Sequence, residues 1–151
     1  NQDYLLEQFE SLGVERKRIE IFPPDKHYEY LKYYDQMDLA LDTFPYNGGT
    51  TTMEAIWQGV PVLTFDGDRW ASRTSRSILG NSHLSQFAVE IYEQFVLTAV
   101  KFATHPRAQA QLLELRRTMR DQLLDSKVCD TRLFAKKMES LYTKAYTSST
   151  S

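Results

Sequence analysis

Between Thr43 and Phe65 the chain reads TFPYNGGTTTMEAIWQGVPVLTF, and Glu54 is its only charged side chain although 25% of all residues are charged. A stretch of this length with so little charge is either buried or turned toward a ligand. Its internal order narrows the choice. Asn47-Gly48-Gly49 is turn chemistry, Thr50 to Gln58 suits a helix, Gly59 stands where a helix C-terminal glycine belongs, and Pro61 to Phe65 (PVLTF) is a short strand. Just upstream, Met37 to Leu41 (MDLAL) is a compact apolar run suited to a buried parallel strand. Strand, loop, helix and strand in succession make a βαβ unit, and hence a parallel sheet with helices on its faces.

The flanking sequence extends this pattern. Leu5, Leu6, Phe9 and Leu12 recur at helical spacing, and Gly13 follows as a stop. Arg18 to Phe22 (RIEIF) reads as a strand closed by Pro23-Pro24, and His27 to Tyr34 as a short helix rich in Tyr. From Ile91 the pattern is wholly helical: one segment to Thr104, one opened by Pro106 with Leu112, Leu115, Met119 and Leu123 in register, and one from Thr131 to Tyr146. The expected fold is α/β, a doubly wound Rossmann-like parallel sheet with C-terminal helices. It forms one domain over residues 1–146, with the small polar residues 147–151 (TSSTS) as a disordered tail. The helical opening without an initiator Met leads us to expect a piece of a longer polypeptide.

Charge and composition exclude several classes of function. A formal net charge of -2 gives no basic surface for a phosphate backbone, so no nucleic-acid partner is expected. Cys129 is the only cysteine, which rules out an internal disulfide, and with His27, His83 and His105 it makes no cluster at zinc spacing. Apolar runs are short, and the N-terminus lacks a basic-then-apolar signal region, so neither membrane association nor export is expected and the cytoplasm is the expected compartment.

The motif that carries chemistry is NGGTTTME, residues 47–54. A helix N-terminus presents unpaired N–H groups and the positive end of the helix dipole, so a glycine loop feeding a helix from a strand can hold an anion. Gly48 and Gly49 allow close backbone approach, while the hydroxyls of Thr50, Thr51 and Thr52 can donate to phosphate oxygens. The same residues also fit a capping box, with Thr51 at the N-cap and Glu54 at the reciprocal position. The pattern alone leaves both readings open, and a carboxylate at Glu54 could equally accept from ribose hydroxyls.

Other candidates are weaker. Asp66-Gly67-Asp68 has the form of an acidic metal-holding triplet, or simply of a loop leading into a helix. Arg69, Arg73 and Arg76 fall at helical spacing and could meet an anion, face solvent or pair with those aspartates. Tyr28, Tyr30, Tyr33 and Tyr34 could offer a ring to a nucleobase or pack in the core. No nucleophile elbow is present, and Cys129 has no nearby His.

The run MDLALDTFPYNGGTTTMEAIWQGVPVLTFDGDRWASR resembles the C-terminal part of the catalytic region in the O-linked N-acetylglucosamine transferase family, especially its bacterial tetratricopeptide-linked members. The similarity rests on LDTFPYNGGTTT, the following E-A-x-W-x-G-V-P-V and the A-S-R ending at Arg73, and extends more loosely from RIEIF to Leu141. It implies the C-terminal half of a two-Rossmann-domain GT-B glycosyltransferase. Such an enzyme takes a UDP-sugar as donor substrate, uses no cofactor or metal, and transfers N-acetylglucosamine to Ser or Thr of a protein with inversion. The family's diphosphate contact then falls on Gly49, Thr50 and Thr51, a glycine replacing the histidine of the animal enzymes. Its ribose contact falls on Glu54, its uracil-contacting segment on Asp25, Lys26 and His27, and its stacking aromatic on Tyr30. The resemblance places catalytic residues, acceptor recognition and a phosphate-binding lysine outside this chain, on an N-terminal Rossmann domain and tetratricopeptide repeats. A UDP-hexose-dependent N-glycosyltransferase half and a non-catalytic nucleotide-binding scaffold are the alternatives.

Overall fold

The structure is a computed structural model that describes residues 2–149. It divides into two compact units, one up to Tyr30 and one from Leu31 onward. In the first, helix α1 (Gln2–Ser11) ends as its sequence predicts: Gly13 adopts a left-handed φ of 82°, and the N–H of Val14 turns back to Phe9 O at 3.0 Å. Arg16, in the 3-10 turn that follows, pairs with Asp3 at 3.0 Å. RIEIF was expected to be a strand. Ile19 has extended dihedrals, yet residues 18–22 are not part of the sheet, because extended backbone becomes a strand only through a paired neighbour. Helix α2 (His27–Lys32) contains the boundary between the units.

The second unit is built around three parallel strands in chain order: β1 (Ala40–Leu41), β2 (Val62–Phe65) and β3 (Ala88–Val89). Ala40 pairs with Val62, and Thr64 with Ala88. Helix α3 (Thr50–Trp57) crosses from β1 to β2, and α4 (Thr74–Asn81) from β2 to β3. Right-handed crossovers between successive strands put both helices on one face, where they touch. Only β2 is the buried strand that the apolar pattern implies, with Val62, Leu63 and Thr64 all inaccessible. MDLAL contributes just two residues to the edge strand, and Leu41 is exposed, because one side of that strand has no neighbour in the sheet.

Helices α5 (Tyr92–Thr104), α6 (Pro106–Leu124) and α7 (Thr131–Ser149) complete the chain. Pro106 opens α6, and the His105 ring accepts the N–H of Arg107 at 3.3 Å as its cap. The four residues read in register on α6 reach the core: Leu112, Met119 and Leu123 are buried, and Leu115 packs against them. They meet Ile56 of α3, Leu79 of α4 and Phe102 of α5, each buried side chain contributing about 1.5–3 kcal/mol. Part of the tail expected at 147–151 is helical. Thr147 and Ser148 continue α7, their hydroxyls donating to the carbonyls of Thr143 and Lys144, and Thr150 and Ser151 lie outside the described residues. No helix among the described residues is long and apolar enough to cross a membrane.

Both ends of α3 are held tightly. At its C-terminus Gly59 takes a φ of 80°, its N–H reaching Ile56 O at 3.0 Å while that of Val60 reaches Ala55 O at 2.8 Å. A Cβ on Gly59 would lie 2.7 Å from the backbone oxygen of Arg116, so α6 passes directly over this turn. Arg120 then donates to Trp57 O at 2.9 Å and stacks over the Trp57 ring, satisfying a terminal carbonyl of α3 with a cation.

Candidate functional site

The loop between β1 and α3 hangs from the sheet by Asp42. The Asp42 N–H is still in the ladder, 2.9 Å from Leu63 O, so the carboxylate starts from a fixed point. Its Oδ1 accepts the N–H of Thr43 at 3.0 Å and that of Gly48 at 2.9 Å, folding residues 43–48 into a closed turn. Asn47 is buried beneath it, its Nδ2 donating to Thr43 O at 2.9 Å and its own N–H to Ala71 O at 2.9 Å. The turn contains a cis peptide bond between Phe44 and Pro45, and Phe44 stacks on Phe65 at the end of β2 with centroids 4.6 Å apart.

Gly49 is the N-cap of α3 and makes no side-chain capping bond. This corrects the capping-box reading. A box needs Thr51 at the N-cap, whereas the N-cap is Gly49, two residues earlier, so Thr51 already lies within the first turn. The first ladder bond runs from Met53 N to Gly49 O at 3.1 Å. The N–H groups of Thr50, Thr51 and Thr52 therefore precede the ladder and form the positive end of the helix. The three threonines differ in exposure: Thr50 and Thr51 are open, while Thr52 is buried and its Oγ1 lies 2.8 Å from Ser75 Oγ on α4. Thr52 is thus not available as a side-chain phosphate donor. Gly48 packs over this turn so closely that a Cβ would lie 2.5 Å from Thr52 Oγ1 and 2.7 Å from Thr51 Oγ1. Glu54 sits half-buried one turn further along, on the same side as Thr50 and Thr51.

Asp25, Lys26, His27 and Tyr30 belong to the first unit, where they gather around the start of α2. Asp25 Oδ1 accepts the N–H of Lys26 at 2.7 Å, Lys26 O receives the N–H of Tyr30 at 2.9 Å, and the His27 ring meets Tyr28 edge-on. Asp25, Lys26 and His27 are exposed and Tyr30 is half-buried. Of the aromatic cluster, Tyr34 is buried, as the core-packing reading expects, and Tyr28 is exposed.

The acidic loop after β2 is taken up by arginines. Asp66 accepts from Arg76 and faces Arg73 at 3.6 Å, while Arg73 Nε also donates to Gly67 O at 2.7 Å. Asp68 pairs with Arg69 at 2.9 Å, and the neighbouring guanidinium holds its carboxyl below the usual carboxylate range. Among the described residues no group of three or more His, Cys, Asp and Glu side chains is placed to hold a metal ion. Asp66 and Asp68 act instead with the arginines of α4 and its lead-in.

Two cavities lie near this framework. One of about 140 Å³ opens beside the loop, lined by Tyr34, Asp42, Gly48 and Thr51 among others. A larger groove of about 740 Å³ runs between residues 36–41 and helices α5 and α6, but its walls are mainly apolar. Its one arginine, Arg116, donates to the carbonyls of Tyr34 and Met37. The sequence reading missed Asp42 and Ser75. Asp42 had a visible signal, an acid at a strand end before a glycine turn; Ser75 had none, because its role depends on how α4 packs on α3.

A glycine-capped helix with its first-turn donors open, at the carboxyl end of a parallel strand, is where open α/β sheets bind anionic ligands. The family model for glycosyl transferase family 41 matches residues 2–138. The chain belongs to that family. A probable UDP-N-acetylglucosamine–peptide N-acetylglucosaminyltransferase SPINDLY of Hordeum vulgare is 34% identical over 138 residues, 91% of this chain and 14% of that protein. The corresponding SPINDLY protein of Arabidopsis thaliana is 35% identical, over 91% of this chain and 15% of its own length. A variant of the Thermobaculum terrenum O-GlcNAc transferase superposes with a TM-score of 0.82 at 31% identity, covering 94% of this chain and 27% of that one. The family 41 fold of this chain is therefore that of an O-GlcNAc transferase, a GT-B α/β architecture. The chain spans 14–15% of the length of these plant relatives.

Proposed function

We propose that this chain is the nucleotide-sugar-binding half of an inverting, metal-independent protein glycosyltransferase that moves N-acetylglucosamine from UDP-N-acetylglucosamine to Ser or Thr. The observation that carries this reading is the open first turn of α3, with Gly49 as cap and Thr50 and Thr51 exposed, in a member of glycosyl transferase family 41. The names of the plant relatives, which specify UDP-N-acetylglucosamine as donor and peptide as acceptor, support the choice of substrates.

In an inverting displacement the acceptor hydroxyl attacks the anomeric carbon as the bond to the UDP oxygen breaks, and negative charge grows on the departing diphosphate. Fixed N–H dipoles at the start of α3, with the hydroxyls of Thr50 and Thr51, stabilise that charge without reorganising. Glu54, one turn along, accepts from the ribose hydroxyls, and Asp25, Lys26, His27 and Tyr30 supply the uracil contacts. UDP-sugar is a substrate, and no resident cofactor or metal enters the scheme. The role proposed for these residues is to bind the donor and stabilise the departing diphosphate, and no step of proton transfer from the acceptor is assigned to them.

Calorimetric titration with UDP, UDP-N-acetylglucosamine, UDP-glucose and GDP tests this reading. Binding of the uridine nucleotides over GDP, with a preference for the N-acetylglucosamine donor, is the expected result. Absence of UDP binding would overturn it.

A further inference from the structure

We infer that Ser75 is a positioning residue for the diphosphate site, keeping the Thr52 N–H outside the helical ladder so that it remains a donor at the start of α3. The inference rests on the nucleotide-binding reading of that helix end. Ser75 is fully buried on α4, 23 residues from Thr52 in sequence, yet its Oγ bridges two groups of the loop–helix junction. It lies 3.1 Å from Gly48 O and 2.8 Å from Thr52 Oγ1.

The direction of this relay follows from counting protons. A carbonyl only accepts, so the single proton of Ser75 goes to Gly48 O, and Thr52 must donate its own to Ser75 Oγ. Gly48 is the residue four before Thr52, so its carbonyl is the one that the Thr52 N–H would use if the helix began a residue earlier. That bond is not made; the ladder starts with Met53 N on Gly49 O. Ser75 therefore anchors that carbonyl to α4, in a position where the Thr52 N–H does not bond to it. Asp42 grips the other side of the same residue through the Gly48 N–H at 2.9 Å, so Gly48 is held at both ends by side chains from different elements. The N–H and C=O of one glycine are thereby fixed immediately before the turn that faces the ligand. A Cβ at this position would strike the hydroxyls of Thr51 and Thr52, so the residue between the two grips has to be glycine.

The test compares UDP with uridine, because only UDP engages the helix end. Ser75→Ala is expected to weaken UDP binding about three- to tenfold, the loss of one donor contact, and to leave uridine binding unchanged. Thr52→Ser retains the relay hydroxyl and is expected to keep UDP affinity within about twofold. A measurement on the unaltered chain guards against misfolding of the variant: by amide hydrogen exchange, Thr52 should exchange more slowly when UDP is added than without it. If the unaltered chain binds UDP no better than uridine, the nucleotide-binding reading fails and this inference with it. If the unaltered chain shows the preference and Ser75→Ala lowers only the melting temperature, or UDP does not slow the exchange of Thr52, Ser75 is purely structural and the inference alone is overturned.

Discussion

Asp42 holds the backbone N–H of Gly48 at 2.9 Å, closing the turn that delivers the chain from β1 to the start of α3. One carboxylate oxygen serves two backbone donors, so its geometry decides the shape of the whole loop. Asp42→Ala removes both bonds at once and is expected to cost about 1.5–3 kcal/mol of stability, whereas Asp42→Asn keeps an acceptor oxygen and should cost less than half as much. Urea titrations of the two variants measure the difference. Equal losses would mean that the turn is held by its other contacts.

Gly59 and Gly80 make opposite demands. At Gly59 the backbone is left-handed and a Cβ would run into the backbone of α6, so Gly59→Ala is expected to destabilise the chain by about 2–4 kcal/mol. Gly80 lies exposed within α4 with nothing near its Cβ direction, and Gly80→Ala should stabilise by about 0.5–1 kcal/mol. Thermal melts of both variants check the sign as well as the size.

Asp66 and Asp68 pair with arginines, and in the proposed scheme the diphosphate is stabilised by the helix end without a metal. UDP affinity should then be the same in excess chelator as in magnesium or manganese. Binding that vanishes with chelator and returns with the cation would assign the acidic loop a role this account denies it.

How far the sequence could be read depended on whether a signal was local. The β1–α3–β2 unit was legible because its stop at Gly59, its turn at Asn47-Gly48-Gly49 and its apolar strand each have a short-range cause. The α6 face was legible because Leu112, Leu115, Met119 and Leu123 repeat at helical spacing. RIEIF misled for the opposite reason: its residues favour extended backbone, but pairing is a tertiary matter. The capping box failed by two residues, the N-cap falling on Gly49 instead of Thr51, since Thr50, Thr51 and Thr52 look alike in sequence and only the fold distinguishes them, burying Thr52 against Ser75. For the same reason the sequence could nominate three threonine hydroxyls while the fold leaves two of them open.

The central claim, that the start of α3 grips the diphosphate of a UDP-sugar, is tested most directly by titrating UDP and uridine against Thr50→Val, Thr51→Val and Glu54→Gln, with a melt of each. Replacing Thr50 or Thr51 by Val keeps the shape and removes a donor to a charged acceptor, an expected loss of about 1.5–3 kcal/mol, or roughly ten- to a hundredfold in UDP affinity with uridine unaffected. Glu54→Gln should weaken UDP and uridine together, because it acts on the ribose. Unchanged UDP affinity in all three folded variants would contradict the account.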